Sequence, residues 1–491
     1  ELRLMEGINM SVSLNSGLEK NPASPKSVLF INPPSGLYRR DDRCQSRVED
    51  QTVRVVFPPI DLAVFAAIAR EQNMKAAIRD YPAPGGGDWD AFRNDLKSIQ
   101  PDVVLFNATT ATIRADLEVV RLVRAWNPNT FIIARGEYFE RLGDALMLDD
   151  AAPDIAMFGE IEDNLRRLFS GENAQNLPGV LYVDEAGQVV RNAGPARVEN
   201  LDRLPLPARD LINNEVYKSP ETGNPITVIQ ANRGCPARCI FCPAGEVSGF
   251  RLRLRSPEKV MAELRDCVEN HGIREFLFNG DTFTMKKSWL LDLCGLIRES
   301  GLQIRWGCNS RVDTMDAERA RALKSAGCWV VAFGVESGDQ QMLDHMRKGT
   351  RLEQAEEAIA CCKAAGLATH AFFIIGLPWE DRKSLAATYA FLKKLDTDFF
   401  DINIAYPLPG TEYHELAQRD DLVCGEGSYA QAGVRSYALS AEELTRWRRN
   451  ALLKLYMRPR YIARTLNRAI RTGNLGHYLG AAFMRLKGLV R

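Results

Sequence analysis

Three cysteines lie close enough together on one segment to hold a metal cluster. Cys235, Cys239 and Cys242 follow the pattern CxxxCxxC, directly after an apolar run, Ile226–Ala231. Three thiolates on one loop can hold three irons of a 4Fe-4S cluster and leave the fourth iron open to another ligand. Half of a zinc site and a chance group of buried cysteines are the other interpretations. Zinc sites usually come as paired CxxC or Cys/His sets, and no second set lies near this one.

The motif resembles that of the radical S-adenosylmethionine (radical SAM) superfamily, in which an aromatic residue, here Phe241, precedes the last cysteine. The resemblance implies that the open iron chelates SAM. It also implies that one electron, from a flavodoxin or a ferredoxin, cleaves SAM to a 5′-deoxyadenosyl radical. The three cysteines would then be both the metal ligands and the catalytic residues.

The composition is that of a large protein from a reducing compartment. A chain of 491 residues with a 45 % hydrophobic fraction can form two to four domains with their own cores. Lys and Arg equal Asp and Glu at 63 each, so no overall field directs the chain to nucleic acid. Most of the other cysteines are scattered through apolar segments, which is typical of buried thiols rather than of a disulfide framework. We find neither a signal-peptide pattern nor a membrane-spanning apolar run, and therefore predict a cytoplasmic protein, at most peripheral to a membrane.

From residue 27, short apolar strands alternate with helical segments, which predicts an α/β fold with a doubly wound parallel sheet. Such sheets bind ligands at the carboxyl ends of their strands. The loops at these ends are small and polar, as loops beside a large flat ligand should be. Their residues are Pro33, Pro34, Asn107, Thr109, Thr110, Arg135, Gly136, Glu137, Gly159 and Glu160. Neither GxGxxG nor a Walker motif occurs, so a dinucleotide or nucleoside triphosphate is not expected.

This first region resembles the cobalamin-binding domain that precedes many radical SAM cores. The similar segments are INPP at 31–34, PPIDLAVFAAIA at 58–69, FGEIED at 158–163 and LDRLPLPARDL at 201–211. The resemblance implies that the ten loop residues bind cobalamin. Relatives often carry Gly-Gly-x-His after the fourth strand, but all five histidines of this chain lie beyond residue 270. A histidine of this region therefore cannot ligate cobalt, and a sheet domain that has lost the cofactor is the alternative.

A second series of strands and helices begins at Ile226. Its six predicted strands are 226–231, 274–279, 303–308, 329–334, 368–375 and 399–405. Six units are too few for a closed eight-fold barrel, so we predict a partial (β/α)6 barrel. Functional groups in such architectures lie at the carboxyl ends of the strands, and the cysteine motif follows the first strand.

The radical SAM resemblance extends to the next two strand ends. Asn279, Gly280 and Asp281 occupy the position of the family's Gly-Gly-Glu-like segment, which contacts the SAM amino group. The chain has Asn and Asp where the family usually has Gly and Glu. Arg311 is placed to meet the SAM carboxylate, for which a bidentate guanidinium is suited.

Further along, Glu336 is placed for the ribose hydroxyls of SAM. Ile374 and Gly376 lie in a segment similar to the one that flanks adenine, and 406–415 is similar to the family's closing loop. The resemblance thus covers roughly residues 27–415.

These features divide the chain into five parts. They are a flexible leader (1–25), a cobalamin-binding-like domain (26–171), a hairpin and linker (172–225), a radical SAM core (226–415) and a basic helical C-terminal region (416–491). After Glu443 the chain has 12 Lys and Arg residues among apolar ones and no acidic residue. This pattern is typical of a helix that contacts an anionic membrane, but the arginines could equally neutralise acidic patches of the core. No RNA-binding module accompanies them, so we expect no nucleic acid.

The two cofactors together imply that an unactivated carbon is functionalised. We expect C-methylation of an apolar or lipid-like small molecule, with methylcobalamin as methyl donor, and the basic tail favours such a substrate. One alternative is a ring closure, ring rearrangement or hydroxylation of the anaerobic Mg-protoporphyrin oxidative cyclase type. The other is a non-catalytic membrane-associated binding protein with a vestigial cluster. The intact cysteines, together with Arg311 and Glu336, argue against the last.

Overall fold

A computed structural model of the chain describes residues 25–38, 40, 47–48, 55–476, 478 and 480. Nearly all of the predicted leader and the last basic residues lie outside the described residues. The strands are β1 (Ser27–Asn32), β2 (Lys75–Asp80), β3 (Val103–Asn107), β4 (Phe131–Arg135), β5 (Ile155–Met157), β6 (Val180–Val183), β7 (Val189–Arg191), β8 (Ile226–Gln230), β9 (Asn232–Arg233), β10 (Arg253–Leu254), β11 (Glu275–Asn279), β12 (Arg305–Arg311), β13 (Cys328–Glu336), β14 (Ala368–Ile375) and β15 (Phe399–Ile404).

The helices alternate with these strands along the chain. They are α1 (Ile60–Glu71), α2 (Trp89–Ile99), α3 (Ile113–Asp116), α4 (Glu118–Trp126), α5 (Tyr138–Leu142), α6 (Asp144–Met147), α7 (Glu162–Phe169), α8 (Ala244–Ser248), α9 (Pro257–His271), α10 (Lys287–Glu299), α11 (Ala317–Ser325), α12 (Gln340–His345), α13 (Leu352–Ala364), α14 (Arg382–Leu395), α15 (Glu412–Arg419), α16 (Ala441–Tyr456) and α17 (Pro459–Arg471). No helix in the described part of the chain is both long enough and apolar enough to cross a bilayer.

The first sheet is doubly wound, as predicted. Its order is β2-β1-β3-β4-β5-β6-β7, and β1 to β5 are parallel. Alternate residues of β1 enter opposite cores: Val28 and Phe30 pack with α1, whereas Leu29 and Ile31 pack on the other face with α2 and α4. Because both faces are covered by helices, β1, β3, β4 and β5 are mostly apolar, whereas the edge strand β2 carries Lys75, Arg79 and Asp80.

The hairpin β6–β7, which the sequence assigned to the linker, extends the first sheet instead. Strand β6 pairs antiparallel with β5, and Val180 lies opposite Met157. All four residues of β6 are buried. An apolar strand of this kind is stable only when both its edges and its faces are covered, and the free edge of β5 provides the pairing partner.

The second sheet is the predicted partial barrel. Its six strands are all parallel, in the order β15-β14-β13-β12-β11-β8. Alternate residues of β14, namely His370, Phe372 and Ile374, are only half-buried and face the concave side. The helices cover the other side, where α9 begins after Ser256, whose hydroxyl accepts a hydrogen bond from the Lys259 N–H. Serine in this position satisfies an otherwise unpaired amide of the first turn.

Four buried charges join the two sheets. Arg253 binds the carboxylate of Glu160 through two hydrogen bonds of 2.6 and 2.7 Å, and Arg233 binds Glu162 at 2.5 Å and Glu160 at 3.4 Å. All four side chains are less than a tenth exposed. Arg233 and Arg253 are directly opposite each other in the β9–β10 pair. Like charges in that position repel each other. The carboxylates of Glu160 and Glu162 neutralise the two arginines and so stabilise the β9–β10 pair.

Breaking this contact should be costly. We expect Arg253→Met to lower the free energy of unfolding by about 3–5 kcal/mol, because Glu160 loses its bidentate partner while still buried. Urea denaturation measures the loss.

The matched control is Arg70→Met. Arg70 pairs with Asp210 at 2.7 Å, but their side chains are 42 and 55 % exposed, so its loss should cost no more than about 1 kcal/mol. Equal effects of the two substitutions would contradict the role given to the buried pair.

Candidate active site

The three cysteines lie on one loop at the carboxyl end of β8. Cys235, Cys239 and Cys242 are free and only partly buried. Gly234, which opens the loop, has a φ of +87°, and a β-carbon there would lie 2.1 Å from the Arg251 carbonyl oxygen. Only glycine fits at this position, because the backbone is both left-handed and closely packed.

Backbone contacts hold this loop in place. The Gly234 N–H donates to Asp281 Oδ2 at 2.5 Å, and the Ile240 N–H donates to the Met346 carbonyl at 3.1 Å. The Tyr413 N–H in turn donates to the Ile240 carbonyl at 2.9 Å. The cysteines are therefore positioned by segments from across the second sheet.

The thiols are surrounded by protein and by two cations. Burial raises the pKa of Cys242 to about 12 and also raises the pKa of Cys239, while the charges of Lys348 and Arg311 favour the thiolate of Cys239 and oppose that rise. Thiols of this kind stay protonated until a metal displaces the proton. Without a metal, Cys239 and Cys242 therefore present no reactive free thiolate.

In the described part of the chain, no three His, Cys, Asp or Glu side chains are close enough to share a single metal ion. The cysteines of a 4Fe-4S cluster bind different irons and need not converge on one point.

The segment after β11 packs against the first cysteine. Thr282 Oγ1 donates to Cys235 Sγ at 3.3 Å. Asn309 Nδ2 donates to the Gly280 carbonyl at 2.8 Å, and a β-carbon at Gly280 would lie 2.5 Å from Asn232 Oδ1. The structure thus brings Asn279, Gly280 and Asp281 next to the cysteine loop.

Arg311 and Glu336 also lie at this end of the sheet, and each has a charged partner. Arg311 makes two hydrogen bonds of 2.9 Å to Asp313 and a third of 2.9 Å to the Lys348 carbonyl. Glu336 Oε1 accepts from Lys348 Nζ at 2.7 Å, and both side chains are 8 % exposed. Glu336 has a φ of +70°, a strained conformation that is common at functional sites.

Lys348 is the residue of this site that sequence reasoning missed. It follows no strand directly and lies 12 residues after Glu336. No local pattern distinguishes it from a surface lysine, and only the return of the chain from α12 places its ammonium group beside the cysteines. The Met346 carbonyl, which accepts the hydrogen bond from the cysteine loop, lies in the same segment after α12.

The predicted adenine-flanking residues form an apolar wall beside the cysteines. Phe241 and Ile374 pack with the buried Ile240 and Tyr413. Tyr413 Oη donates to the Gly376 carbonyl at 3.3 Å, so the predicted closing loop contacts both the cysteine loop and β14. This wall can exclude water from the reacting groups.

Polar networks at the carboxyl ends of the first sheet fix its loops. Asn107 Nδ2 donates to Asn32 Oδ1 at 3.0 Å and to Asp61 Oδ2 at 2.8 Å, and Arg135 pairs with Asp61 at 3.4 Å. The Thr109 N–H donates to the fully buried Asp116 at 3.1 Å. Thus Asn107, Thr109 and Arg135 all line one edge, as predicted.

Arg40 and Glu137 join further loops to the same edge. Arg40 donates to the Pro33 carbonyl at 3.4 Å and pairs with the carboxylate of Asp116 at 3.1 Å. Glu137 Oε1 accepts from the Gly159 N–H at 2.9 Å. The Glu160 carboxylate, assigned to a cofactor from the sequence, is engaged by the arginines of the β9–β10 pair.

Gly136 allows two loops to approach closely. A β-carbon at this position would lie 2.5 Å from the Ala108 carbonyl oxygen. The loops that follow β3 and β4 therefore pack closely against each other here.

A cavity of about 200 Å³ lies between the two sheets. Residues from both sheets line it, among them Asn32, Asp61, Asp80, Arg135, Gly159, Glu160, Gln230, Arg233, Arg255 and Asn279. A second cavity of about 460 Å³ adjoins it and is lined by Ser35, Thr110, Thr112, Arg114 and Glu426. Leu37 and Tyr38 line both. The carboxyl ends of the two sheets thus face each other across a partly enclosed space.

Comparison with known proteins gives three findings. The sequence model of the radical SAM superfamily matches residues 229–392. An uncharacterised methyltransferase of Pyrococcus horikoshii is 30 % identical over 450 residues, which are 89 % of this chain and 94 % of that protein. The anaerobic magnesium-protoporphyrin IX monomethyl ester cyclase of Cereibacter sphaeroides is 25 % identical over 377 residues, which are 74 % of this chain and 61 % of that one.

The fold is also similar to that of a solved structure. The radical S-adenosylmethionine methyltransferase TsrM from Kitasatospora setae, with cobalamin and a 4Fe-4S cluster bound, superposes with a TM-score of 0.63. The identity is 16 %, and the match covers 82 % of this chain and 76 % of that one. The predicted pairing of a doubly wound sheet with a partial barrel is confirmed, and the chain belongs to the radical SAM superfamily of enzymes.

Proposed function

We propose that this radical SAM enzyme uses a 4Fe-4S cluster, SAM and cobalamin to methylate an unactivated carbon of a small molecule. One observation carries the proposal: the carboxyl ends of both sheets face the same cavity, with the cysteine loop at the edge of one of them. Arg233 and Val247, which flank that loop in the chain, line the cavity. A substrate held there would lie between two cofactor-binding surfaces.

The residues of the second sheet fit a cluster and SAM. Three thiols on one loop are the donor set of such a cluster. Arg311 and Glu336 would bind the carboxylate and the ribose of SAM, and their present partners, Asp313 and Lys348, hold them oriented until then. When bound, the cluster and SAM supply hydrogen abstraction from carbon, and cobalamin supplies the methyl group. A flavodoxin or a ferredoxin would deliver the electron.

The residues of the first sheet fit cobalamin. Asn107 Oδ1 is buried and has no hydrogen-bond partner among the described residues, so an amide N–H on the rim of the ring could satisfy it. At Gly136 the loops after β3 and β4 approach closely, and a glycine adds no side chain that would keep a ring away from the backbone. No histidine of this region exists to ligate cobalt.

We further propose that the substrate is apolar or lipid-like, at least in the part that enters the cavity. The support is the apolar part of a mixed wall, which includes Val55, Phe57, Val64, Leu201 and Leu204 beside the polar and charged residues named above. Burying an apolar group against such side chains contributes about 25 cal/mol per Å² of apolar surface removed from water.

A second candidate function is a radical cyclisation, supported by the similarity to the magnesium-protoporphyrin ester cyclase. The same two surfaces would serve that reaction, but no methyl group would be transferred. A non-catalytic binding protein is not favoured, because the three cysteines, Arg311 and Glu336 come together at one end of the sheet.

The two reactions differ in what becomes of SAM. We expect the reconstituted enzyme, given a reductant and its substrate, to form S-adenosylhomocysteine and 5′-deoxyadenosine in comparable amounts, since one SAM supplies the methyl group and a second supplies the abstracting group. Liquid chromatography with mass detection measures both. Deoxyadenosine with no homocysteine product would contradict methyl transfer and favour the cyclase.

The cysteine loop is tested by Cys239→Ala. Loss of one thiol should reduce cluster-bound iron after anaerobic reconstitution to background and abolish both products, because the cluster loses one of its three anchors. The matched control is Cys424→Ser, which removes an exposed thiol outside the loop and should leave iron content unchanged. Equal iron in Cys239→Ala and wild type would rule out this loop as the cluster site.

A further inference from the structure

The last described helix, α17, turns its arginines towards the protein. Arg464 pairs with Asp396 at 3.3 Å, and Arg468 pairs with Asp398 at 3.0 Å. Tyr461, on the same side of the helix, is 7 % exposed. This inner face therefore holds α17 against the segment that precedes β15.

The outer face of α17 is apolar instead of polar. Ile462, Leu466 and Ile470 are 39, 42 and 69 % exposed and follow one another at four-residue spacing. Met457 and Leu475 beside them are 61 and 43 % exposed. These five are half of the ten exposed large hydrophobic residues in the described part of the chain. A surface helix normally buries its apolar side, so this arrangement indicates a docking surface.

Cations border the apolar row. Arg460, which pairs with Asp396 at 3.2 Å but whose side chain is 83 % exposed, and the exposed Arg471 lie at the two ends of the helix. Lys454 and Arg449 of α16 are exposed as well. No acidic residue follows Glu443 in the sequence, and Asp396 and Asp398, which lie against the inner face of α17, are paired with its arginines.

We propose that the outer face of α17 docks the enzyme onto an anionic membrane surface. The row from Ile462 to Ile470 would enter the boundary between headgroups and acyl chains, and Arg460 and Arg471 would contact lipid phosphates. The row extends about 12 Å along the helix between Ile462 and Ile470. A fluid bilayer can adapt to such a ridge, and each cation near an anionic leaflet adds to the attraction.

This docking surface lies away from the active site. Asp396 and Asp398 come before β15, and Asn474, just after α17, donates to the Glu221 carbonyl at 2.8 Å, just before β8. The helix therefore crosses the amino ends of the parallel strands, whereas the cysteine loop is at their carboxyl ends. Membrane docking and methyl transfer can therefore be tested separately. A negative result for one would not contradict the other.

The test is co-sedimentation of the full chain with vesicles. We expect the wild type to pellet with vesicles of equal parts phosphatidylglycerol and phosphatidylcholine, and not with phosphatidylcholine alone. Added salt should weaken the binding. The double variant L466Q/I470Q should bind roughly tenfold more weakly, and R460Q/R471Q should lose most of the preference for anionic lipid.

The matched control is Leu148→Gln, which changes an equally exposed leucine of the first domain, 53 % exposed, and should bind like the wild type. Wild-type protein that stays in the supernatant, or binds both vesicle types equally, would overturn the proposal. Self-association detected by analytical ultracentrifugation and lost in L466Q/I470Q would also overturn it, by assigning the face to a second copy of the chain.

Discussion

Four buried charges determine how the two halves of this enzyme face each other. Glu160 and Glu162 extend from the end of the first sheet, and Arg233 and Arg253 meet them from the strand pair that leads into and out of the cysteine loop. Charges removed from water are tolerated only in pairs with good geometry. The two sheets therefore cannot move apart without leaving charges unpaired. Since Arg233 is two residues before Cys235, the same contact fixes the start of the cluster loop.

Most of the fold could be predicted from the sequence, because parallel strands covered on both faces appear as continuous apolar runs. The bounds of Ala368–Ile375 were predicted to the residue, and the other strands of the second sheet to within a few residues. The hairpin at 180–191 was found but wrongly placed in the linker. The local sequence pattern predicts a hairpin. Which sheet the hairpin joins depends on the pairing of β6 with β5, which the local pattern does not show.

The candidate site, like the fold, could be predicted only where its features are local in the sequence. The cysteine spacing is local and was visible in the sequence, whereas the contact of Glu160 with Arg253 spans 93 residues and was not. Lys348 is recognisable only once the chain has returned from α12 to the carboxyl end of the sheet. The basic C-terminal region left two interpretations open, and the structure supports the neutralising one for the inner face of α17, where Arg464 and Arg468 meet aspartates. Its outer face carries the separate proposal of membrane contact.

Two facing sheets that bind two different cofactors would explain the arrangement of this enzyme. Anaerobic reconstitution with iron, sulfide and hydroxocobalamin, followed by desalting and an ultraviolet–visible spectrum, tests this most directly. We expect a broad iron–sulfur absorption together with corrinoid bands that stay with the protein. A protein that keeps the cluster but releases all of the corrinoid would contradict the role given to the first sheet, and with it the methyl transfer.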